Sequence, residues 1–253
     1  MKIGTYNIWN SENGMPYRSK YIVNEIKMID ADIICLQEVH DRELAESIAT
    51  SVGYQYWYFD NYPNVEEGLC IMSNIPFVEC DSWLKNSNAI CCSFLHNGKI
   101  VSVINIHLPW DSVMERERQI VNIVTAIDRK RTDYVYMAGD FNCTDSSDVQ
   151  RFLLGECSLN NCESMPCWFD LALSYAELSN TSVEATLNFR ENPRFKKNTI
   201  EVNARFDRIL LRNTYPQEFP TLNVCGIFGK TFYEDIALSA SDHYGVVVEM
   251  EYY

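Results

Sequence analysis

Residues 89–107 read AICCSFLHNGKIVSVINIH and contain two apolar runs separated by a turn signal. The runs from Ala89 to Leu95 and from Ile100 to Ile106 have the length and composition typical of strands. His96-Asn97-Gly98 lies between them, and Asn-Gly favours a tight hairpin because both residues tolerate a positive φ. The stretch therefore predicts two adjacent antiparallel strands, with His107 directly after the second.

Further strands and helices are predicted on both sides of this hairpin. No repeat, low-complexity tract or linker divides them, so residues 1–253 are expected to form a single domain. Many strands with interspersed helices favour two packed mixed sheets flanked by helices. The predicted strands are Ile3 to Ile8, Asp32 to Leu36, Gln55 to Phe59, Leu69 to Met72, Val78 to Trp83, Tyr134 to Ala138, Phe206 to Leu211, Leu222 to Cys225 and Gly245 to Tyr252. Helices are predicted around Ile22, Ile26 and Ile29, over Asp41 to Ser51, after the capping box Ser112-Val113-Met114-Glu115, and from about Ser147.

The bulk composition predicts a folded, intracellular protein. Apolar residues make up 47% of the chain, which is ample for a sizeable core. The N-terminus lacks the long apolar run of a signal peptide, and no later stretch approaches the roughly 18 apolar residues of a membrane span. We therefore expect a cytoplasmic, monomeric protein without a membrane anchor, in which most of the ten cysteines are reduced.

The chain is acidic as a whole but contains one basic segment. A formal net charge of −14 argues against a protein that coats nucleic acid by bulk electrostatics. Between Arg190 and Arg212, however, seven basic residues stand against three acidic ones. This segment is either a solvated loop and strand edge or a positive patch that meets an anionic substrate. On the second interpretation, the candidate substrate-binding residues are Arg190, Arg194 and Arg208.

Polar residues with catalytic potential occur where the predicted strands end. Residues at strand ends point into the mouth of a sheet sandwich, where loops can bring them together. Each one alone is explained by a turn or a helix cap. As a set they supply what metal-assisted phosphoryl transfer requires: carboxylate and amide oxygens for Mg²⁺, donors for the phosphoryl oxygens, and a carboxylate to accept a proton from water. The set comprises Glu38, His107, Asp140, Asn142, Asp207, Asp242 and His243.

The motifs that contain these residues resemble, in order, those of the endonuclease/exonuclease/phosphatase superfamily. The resemblance spans nearly the whole chain and implies an α/β (α+β) fold, a four-layer αββα sandwich of two mixed, largely antiparallel sheets flanked by helices. The motifs are Thr5-Tyr6-Asn7, Leu36-Gln37-Glu38-Val39, Asn105-Ile106-His107-Leu108, Gly139-Asp140-Phe141-Asn142, Arg205-Phe206-Asp207-Arg208-Ile209 and Ser241-Asp242-His243.

The resemblance also implies a metal site. Glu38 would be the principal ligand of Mg²⁺, or of Mn²⁺ in its place, with Asn7 and Asp242 in or near the metal shell. Mg²⁺ keeps several waters, so one or two protein carboxylates are enough.

Catalytic roles follow from the same resemblance. Asp140 would activate or orient the attacking water, and Asn142 would hold that water or a phosphate oxygen. His243 would contact the scissile phosphate, with its orientation set by Asp207. His107 would be a second donor on the phosphate side, and Glu67 is a candidate to orient it.

Three functions remain open at this stage. The pairing of Asn-x-His-Leu with Arg-Phe-Asp-Arg-Ile and Ser-Asp-His is most similar to 5′-tyrosyl-DNA phosphodiesterases, while Gly-Asp-Phe-Asn and Ser-Asp-His-Tyr also resemble deoxyribonuclease I. These favour a nuclease or phosphodiesterase acting on single-stranded ends or 5′ adducts of nucleic acid. The alternative is a phosphatase or phosphodiesterase on small sugar or lipid phosphates. A catalytically silent scaffold is the third, and it would be expected to have lost at least one of the mapped residues.

Overall fold

The computed structural model describes residues 1–253 and contains twelve strands and five helices. The strands are β1 (Lys2–Asn7), β2 (Ile33–Val39), β3 (Tyr56–Asn61), β4 (Gly68–Ser73), β5 (Phe77–Ser82), β6 (Ala89–His96), β7 (Lys99–His107), β8 (Tyr134–Asp140), β9 (Trp168–Asp170), β10 (Asp207–Arg212), β11 (Thr221–Phe228) and β12 (Gly245–Glu251). The helices are α1 (Tyr17–Ile29), α2 (Arg42–Val52), α3 (Val113–Ile127), α4 (Asp148–Leu153) and α5 (Leu171–Ser179).

The hairpin between β6 and β7 is confirmed. The two strands pair antiparallel, and His96 lies opposite Lys99 across a two-residue turn. Asn97 has a φ of 50° and Gly98 a φ of 74°. Positive φ at both central residues is the geometry that matches the right-handed twist of the paired strands. The turn therefore sets the register that brings His107 to the far end of β7.

The strands form two six-stranded mixed sheets. Their orders are β11-β12-β1-β2-β4-β3 and β5-β6-β7-β8-β10-β9. In the first sheet β1 and β2 are parallel, in the second β7 and β8 are parallel, and the remaining neighbours are antiparallel. Since β12 and β10 run antiparallel to β1 and β8, they begin at the edge where those strands end. The carboxyl ends of four strands and the amino ends of two others thus meet at one edge of the sandwich.

Three apolar clusters give the molecule its layers. One lies between the sheets and includes Ile71, Val103 and Val248. A second joins α3 and α4 to the outer face of one sheet, and a third joins α1 and α2 to the outer face of the other. Each sheet is therefore covered on both faces, which is the predicted four-layer αββα sandwich.

Side-chain caps define the starts of several helices. The hydroxyl of Ser112 accepts the backbone N–H of Glu115 at the start of α3, as the sequence predicts. The Glu115 carboxylate pairs with Arg118 instead of returning to the cap, so only half of the predicted capping box forms. Asp41 and Ser147 cap α2 and α4 in the same way.

Two elements were absent from the sequence prediction, namely the short strand β9 and the helix α5 that follows it. Asp170 ends the strand and caps the helix through the backbone N–H groups of Ala172 and Leu173. All ten cysteines are free thiols. None of the five helices combines the length and apolar character that a membrane crossing requires.

Candidate active site

The strand edge described above brings together all eight side chains that the sequence assigned to catalysis. Asn7, His107 and Asp140 are the last residues of β1, β7 and β8. Backbone register places Asp140 directly opposite both His107 and Asp207 on the neighbouring strands. The other members lie on adjoining strand ends and loops. Glu38 is in β2, Asn142 follows β8, and Asp242 and His243 precede β12.

A buried ion pair links Asp207 to His243. The Oδ2 atom of Asp207 lies 2.9 Å from Nδ1 of His243, and Oδ2 of Asp140 lies 3.9 Å from the same nitrogen. Burial disfavours a charged imidazolium, but the two carboxylates outweigh it and raise the pKa of His243 well above its usual value. His243 is therefore a protonated donor at neutral pH, and Nε2 is the nitrogen left for a ligand.

Backbone contacts hold this pair in place. The Thr186 hydroxyl oxygen accepts the backbone N–H groups of Phe206 and Asp207. Ser241 donates its hydroxyl to the carbonyl of Asn7 and accepts the backbone N–H of His243. The backbone N–H of Tyr244 also donates to the carbonyl of Thr186, so Thr186 connects the start of β10 with the residue before β12 beneath the ion pair.

Asn7 bridges two of the carboxylates. Its Nδ2 donates to Oε1 of Glu38 at 2.9 Å and to Oδ2 of Asp140 at 3.1 Å. The other oxygen of Asp140 accepts the backbone N–H of Asn142 at 2.8 Å. Asn142 has a φ of 48°, and its Nδ2 donates to the carbonyl of Leu108. Asp140 is therefore held on both oxygens, which fixes its direction toward the cleft.

His107 lies beside the same carboxylates. Its Nε2 is 3.8 Å from Oδ2 of Asp140 and 3.9 Å from Oε1 of Glu38. Its Nδ1 is 3.2 Å from the hydroxyl of Tyr62 and 3.9 Å from Oε1 of Glu67. Glu67, the predicted partner, is thus near the imidazole, but the tyrosine makes the hydrogen bond. Burial raises the pKa of Tyr62 well above its usual value, so its hydroxyl keeps its proton.

Glu38 and Asp242 form an acidic group at the mouth of the cleft. Glu38 has a φ of 59°, an uncommon backbone conformation for a residue with a side chain, and its Oε2 accepts the backbone N–H of Asn10. Burial, together with the charge of Glu38, raises the pKa of Asp242 to about 6 against the opposing effect of His243. Asn192 donates to the carbonyls of Ser241 and Asp242 and so anchors this loop. A bound cation would relieve the repulsion between the two carboxylates.

A second group of potential ligands lies deeper. One donor atom each from Asp140, Asp207 and His243 lies within 4.8 Å of the others, a grouping that could hold a metal ion. These donors already bind one another and the Asn7 amide. The Glu38 carboxylate accepts hydrogen bonds from Asn7 and Asn10, and together with Asp242 it supplies the hard oxygen donors that Mg²⁺ prefers.

The three predicted substrate-binding arginines have different surroundings. Arg194 is exposed beside the cleft, with its guanidinium 5.2 Å from the ring of Trp9. Arg190 donates to the carbonyls of Asn198 and Glu201 and stabilises its own loop. Arg208 is only 1% exposed, and its guanidinium pairs with Asp145.

The prediction that Arg208 contacts substrate is therefore corrected. Alternation along β10 turns its side chain away from the cleft, where Asp145 and Asp170 compensate its charge. Arg205 is also buried and pairs with the same two carboxylates. The predicted basic segment is thus partly a structural ion network, and its exposed basic residues are Arg190, Arg194, Lys196 and Lys197.

Sequence reasoning missed several residues that position the site. Tyr62 and Asn10 contact His107 and Glu38 from loops that carry no recognisable motif. Asn192 supports the loop that contains Asp242 from 50 residues away. The contact of Thr186 with the backbone of Asp207 was also not foreseen.

Comparison with known proteins agrees with this geometry. The model of the Endonuclease/Exonuclease/phosphatase family matches residues 4–243. The chain therefore belongs to the endonuclease/exonuclease/phosphatase family, and it is a phosphoesterase of that family with a buried Asp, Asp and His cluster. No curated protein sequence gave a significant match.

Solved structures show the same fold at low sequence identity. Truncated TDP2 from Caenorhabditis elegans has a TM-score of 0.75 and 19% identity, covering 99% of this chain and 97% of that one. D. rerio TDP2 complexed with a single strand DNA product has a TM-score of 0.74 and 16% identity, covering 98% and 97%. A functionally unknown conserved protein from Enterococcus faecalis V583 has a TM-score of 0.74 and 17% identity, covering 100% of both chains.

Proposed function

We propose that this protein is a Mg²⁺-dependent phosphodiesterase that acts on nucleic acid, at single-stranded ends or at 5′ adducts. The observation that carries the proposal is the convergence of Asn7, Glu38, His107, Asp140, Asn142, Asp207, Asp242 and His243 at one edge of the sandwich. Their arrangement offers a carboxylate to accept a proton, two histidine donors beside it, and hard oxygen ligands for a cation.

The protein side chains divide the work as follows. Asp140, held by Asn7 and by the backbone of Asn142, accepts a proton from the attacking water. His243, protonated through Asp207, donates to a phosphoryl oxygen as negative charge develops on it. His107 approaches the same cleft from β7 and supplies a second donor.

Glu38 and Asp242 are the residues that would hold Mg²⁺, with the Asn7 amide beside them. Besides burial, the negative charge of Glu38 raises the pKa of Asp242, so the two carboxylates repel each other. A divalent cation would offset that repulsion, and their hard oxygen atoms suit Mg²⁺. When bound, Mg²⁺ would stabilise charge on the phosphate and the leaving oxygen. Asn7 and Asn10 each donate a hydrogen bond to the Glu38 carboxylate and so orient it.

Two features of the cleft rim support nucleic acid as the substrate. The ring of Trp9 lies near two guanidinium groups, that of the buried Arg18 at 4.7 Å and that of the exposed Arg194 at 5.2 Å. Trp110, three residues after His107, is 78% exposed. Aromatic faces and cationic groups beside a phosphate site bind unpaired bases and backbone charge with little sequence preference. The motif resemblance to 5′-tyrosyl-DNA phosphodiesterases points to the same substrate class.

The test uses labelled single-stranded DNA that carries either a 5′-phosphotyrosine or a plain 5′-phosphate. We expect release of tyrosine that requires Mg²⁺, stops with EDTA and is lost in Asp140→Asn. Asp128→Asn is the matched control, because Asp128 pairs with Arg212 far from the cleft. Internal cuts would instead support a deoxyribonuclease-like activity. Turnover of bis-p-nitrophenyl phosphate without action on either DNA would overturn nucleic acid as the substrate and favour small sugar or lipid phosphates.

A further inference from the structure

Arg18, in the first turn of α1, is a buried arginine whose hydrogen-bond partners are all backbone carbonyl groups. The residue is 0% exposed. A guanidinium group carries five N–H donors in a fixed planar arrangement. All five are used here, at distances of 2.6 to 3.0 Å, and the acceptors are the carbonyl oxygens of Ile8, Trp9, Ser11, Asn13 and Ala240. The group is therefore fully satisfied without a carboxylate.

This arrangement differs from that of the other buried arginines. A buried charge is normally compensated by an opposite charge. Arg205 and Arg208 follow this rule and pair with acidic side chains. Burial lowers the pKa of Arg18, and the negative charges of Asp242 and Glu38 oppose that effect. The position of Arg18 is thus set by its donor geometry, near the two carboxylates that would hold the cation.

Four of the five hydrogen bonds hold the loop of residues 8–13, which follows β1. Trp9 in this loop has a φ of 59°, an uncommon backbone conformation for a residue with a bulky side chain. Arg18 binds the carbonyl groups on both sides of the Trp9 Cα atom, those of Ile8 and of Trp9 itself. Such a conformation persists only where surrounding contacts outweigh its cost. The guanidinium supplies these contacts.

The conformation of this loop orients two polar groups of the cation site. The backbone N–H of Trp9 donates to Oδ1 of Asn7 at 3.0 Å, which leaves Nδ2 of that amide for Glu38. The backbone N–H of Asn10 donates to Oε2 of Glu38 at 2.8 Å. Both oxygens of Glu38 are thus held by groups whose positions depend on the loop.

The fifth hydrogen bond reaches the loop before β12. Its acceptor is the carbonyl of Ala240, two residues before Asp242. The neighbouring hydroxyl of Ser241 donates to the carbonyl of Asn7 at 2.7 Å. The loop after β1 and the loop that carries Asp242 are therefore joined at two adjacent points, one of which is Arg18.

We propose that Arg18 is a positioning residue for the cation site: its guanidinium fixes these two loops against each other and so sets the separation of the Glu38 and Asp242 carboxylates. The inference rests on the proposed function only in that these carboxylates bind Mg²⁺. Arg18 has no acceptor atom in its side chain and is not itself a ligand. It acts through the backbone that orients the ligands.

Binding of Mn²⁺, followed by electron paramagnetic resonance, tests this role. Arg18→Lys keeps the charge but offers three donors without the planar arrangement, so it cannot serve five carbonyl groups. We expect the Mn²⁺ dissociation constant to rise about tenfold, as when other groups that orient metal ligands are replaced. Arg18→Met removes the donors together with the buried charge, so it keeps the test possible if the lysine variant does not fold. The same increase or a larger one is expected.

Arg208→Lys is the matched control. It makes the same substitution at a similarly buried arginine, whose side chain points away from the cleft and pairs with Asp145. It is expected to lower the free energy of unfolding in urea and to leave the Mn²⁺ dissociation constant unchanged. Wild-type Mn²⁺ binding in a folded Arg18 variant, or equal weakening in Arg18→Lys and Arg208→Lys, would overturn the proposal.

Amide hydrogen exchange in the presence of EDTA tests the same role without a metal. We expect the amides of Trp9 and Asn10 to exchange about tenfold faster in Arg18→Lys than in the wild type, because their hydrogen bonds lose their support. The amide of Asn142, which donates to Asp140 in the other sheet, should exchange at an unchanged rate. Equal rates for Trp9 and Asn10 in the two proteins would contradict the positioning role. If the wild type bound no Mn²⁺, the proposed metal site would fail, and the exchange rates alone would decide on Arg18.

Discussion

Oδ2 of Asp207 lies 2.9 Å from Nδ1 of His243, and the two residues reach each other from β10 and from the loop before β12. The contact therefore joins the two sheets at the catalytic edge. Asp207 has no exposure to solvent, so its negative charge acts on the imidazole with little screening. The charge state of His243 depends on a residue 36 positions away in the chain.

Asp207→Asn should convert His243 from a charged to a neutral group at neutral pH. The carboxylate raises the pKa of His243, so its removal lowers that pKa, and a neutral imidazole stabilises phosphoryl charge less well. We expect kcat to fall by roughly 10²-fold or more while KM changes little. NMR titration of the His243 ring nitrogens checks the cause. Lost activity with an unchanged His243 titration would contradict the claim that Asp207 acts through the charge of His243. Asp128→Asn serves as the control.

Tyr62→Phe should reduce activity modestly. The hydroxyl of Tyr62 is the hydrogen-bond partner of Nδ1 of His107, and a single such bond contributes about 0.5–1.5 kcal/mol. A decrease in kcat of roughly 3- to 10-fold is expected, and Tyr62→Phe should add nothing to the loss in His107→Ala. Tyr58→Phe, on the preceding strand β3, is the matched control. Full additivity of the double variant would show that Tyr62 acts independently of His107.

Glu38→Gln should weaken binding of the divalent cation. Removing one of two neighbouring carboxylates leaves the amide of Asn7 and the carboxylate of Asp242 as the remaining donors. We expect the Mn²⁺ dissociation constant, measured by electron paramagnetic resonance, to rise by roughly 10- to 100-fold. Glu66→Gln, at a residue whose side chain is 90% exposed, should bind Mn²⁺ as the wild type does. Loss of binding in Asp207→Asn with retention in Glu38→Gln would instead locate the ion at the deeper Asp140, Asp207 and His243 group.

The clustering of the candidate catalytic side chains could be predicted from sequence because they lie at strand ends, and strand ends follow from local patterns. Asp140 and His107 each come directly after an apolar run, so their position at the sheet edge needs no knowledge of distant contacts. Asn97-Gly98 likewise sets a register through backbone preferences alone. The four-layer fold and the members of the site were predictable for this reason.

Residues whose roles depend on partners far along the chain could not be predicted in this way. Arg208 has the composition of a phosphate-binding residue, and only tertiary structure shows that Asp145 and Asp170 bury its charge. Tyr62 is one of fifteen tyrosines, and nothing in its neighbours indicates contact with His107. Helix α5 has mixed polarity around its axis, since one face borders a cavity instead of a packed core, and its periodicity is therefore weak.

Asp145→Asn should make the free energy of unfolding less sensitive to a decrease in pH. Burial alone would raise the pKa of Asp145, but Arg208 and Arg205 outweigh it and lower that pKa below the usual value. The carboxylate therefore stabilises the fold above about pH 4 and loses its effect as pH falls through its lowered pKa. Because Asp145 is 59% exposed, we expect a loss of only about 0.5–1 kcal/mol at pH 7. Urea unfolding of wild type and Asp145→Asn between pH 3.5 and 7 measures this difference in the free energy of unfolding.

Asp128→Asn provides a control with the opposite sign. Burial raises the pKa of Asp128 above its usual value despite the Arg212 guanidinium. Ionisation of this carboxyl group is therefore less favourable in the folded than in the unfolded protein, so the wild type should lose stability relative to Asp128→Asn as pH rises from about 4 through the raised pKa. Parallel pH profiles for the two variants would contradict both assignments.

Gly139→Ala should disrupt the catalytic edge through the backbone. Gly139 has a φ of 146°, and a Cβ atom there would lie 1.9 Å from the carbonyl oxygen of Ile106 on β7. Strand β8 would have to move away from β7 at the residue before Asp140, so a loss of roughly 3 kcal/mol in the free energy of unfolding is expected together with loss of activity. Gly226→Ala is the matched control, since a Cβ atom there meets nothing within 4 Å, and it should change stability by less than about 0.5 kcal/mol. If Gly139→Ala were as stable and active as Gly226→Ala, the close approach of β7 and β8 at this point would not be required to hold Asp140 in place.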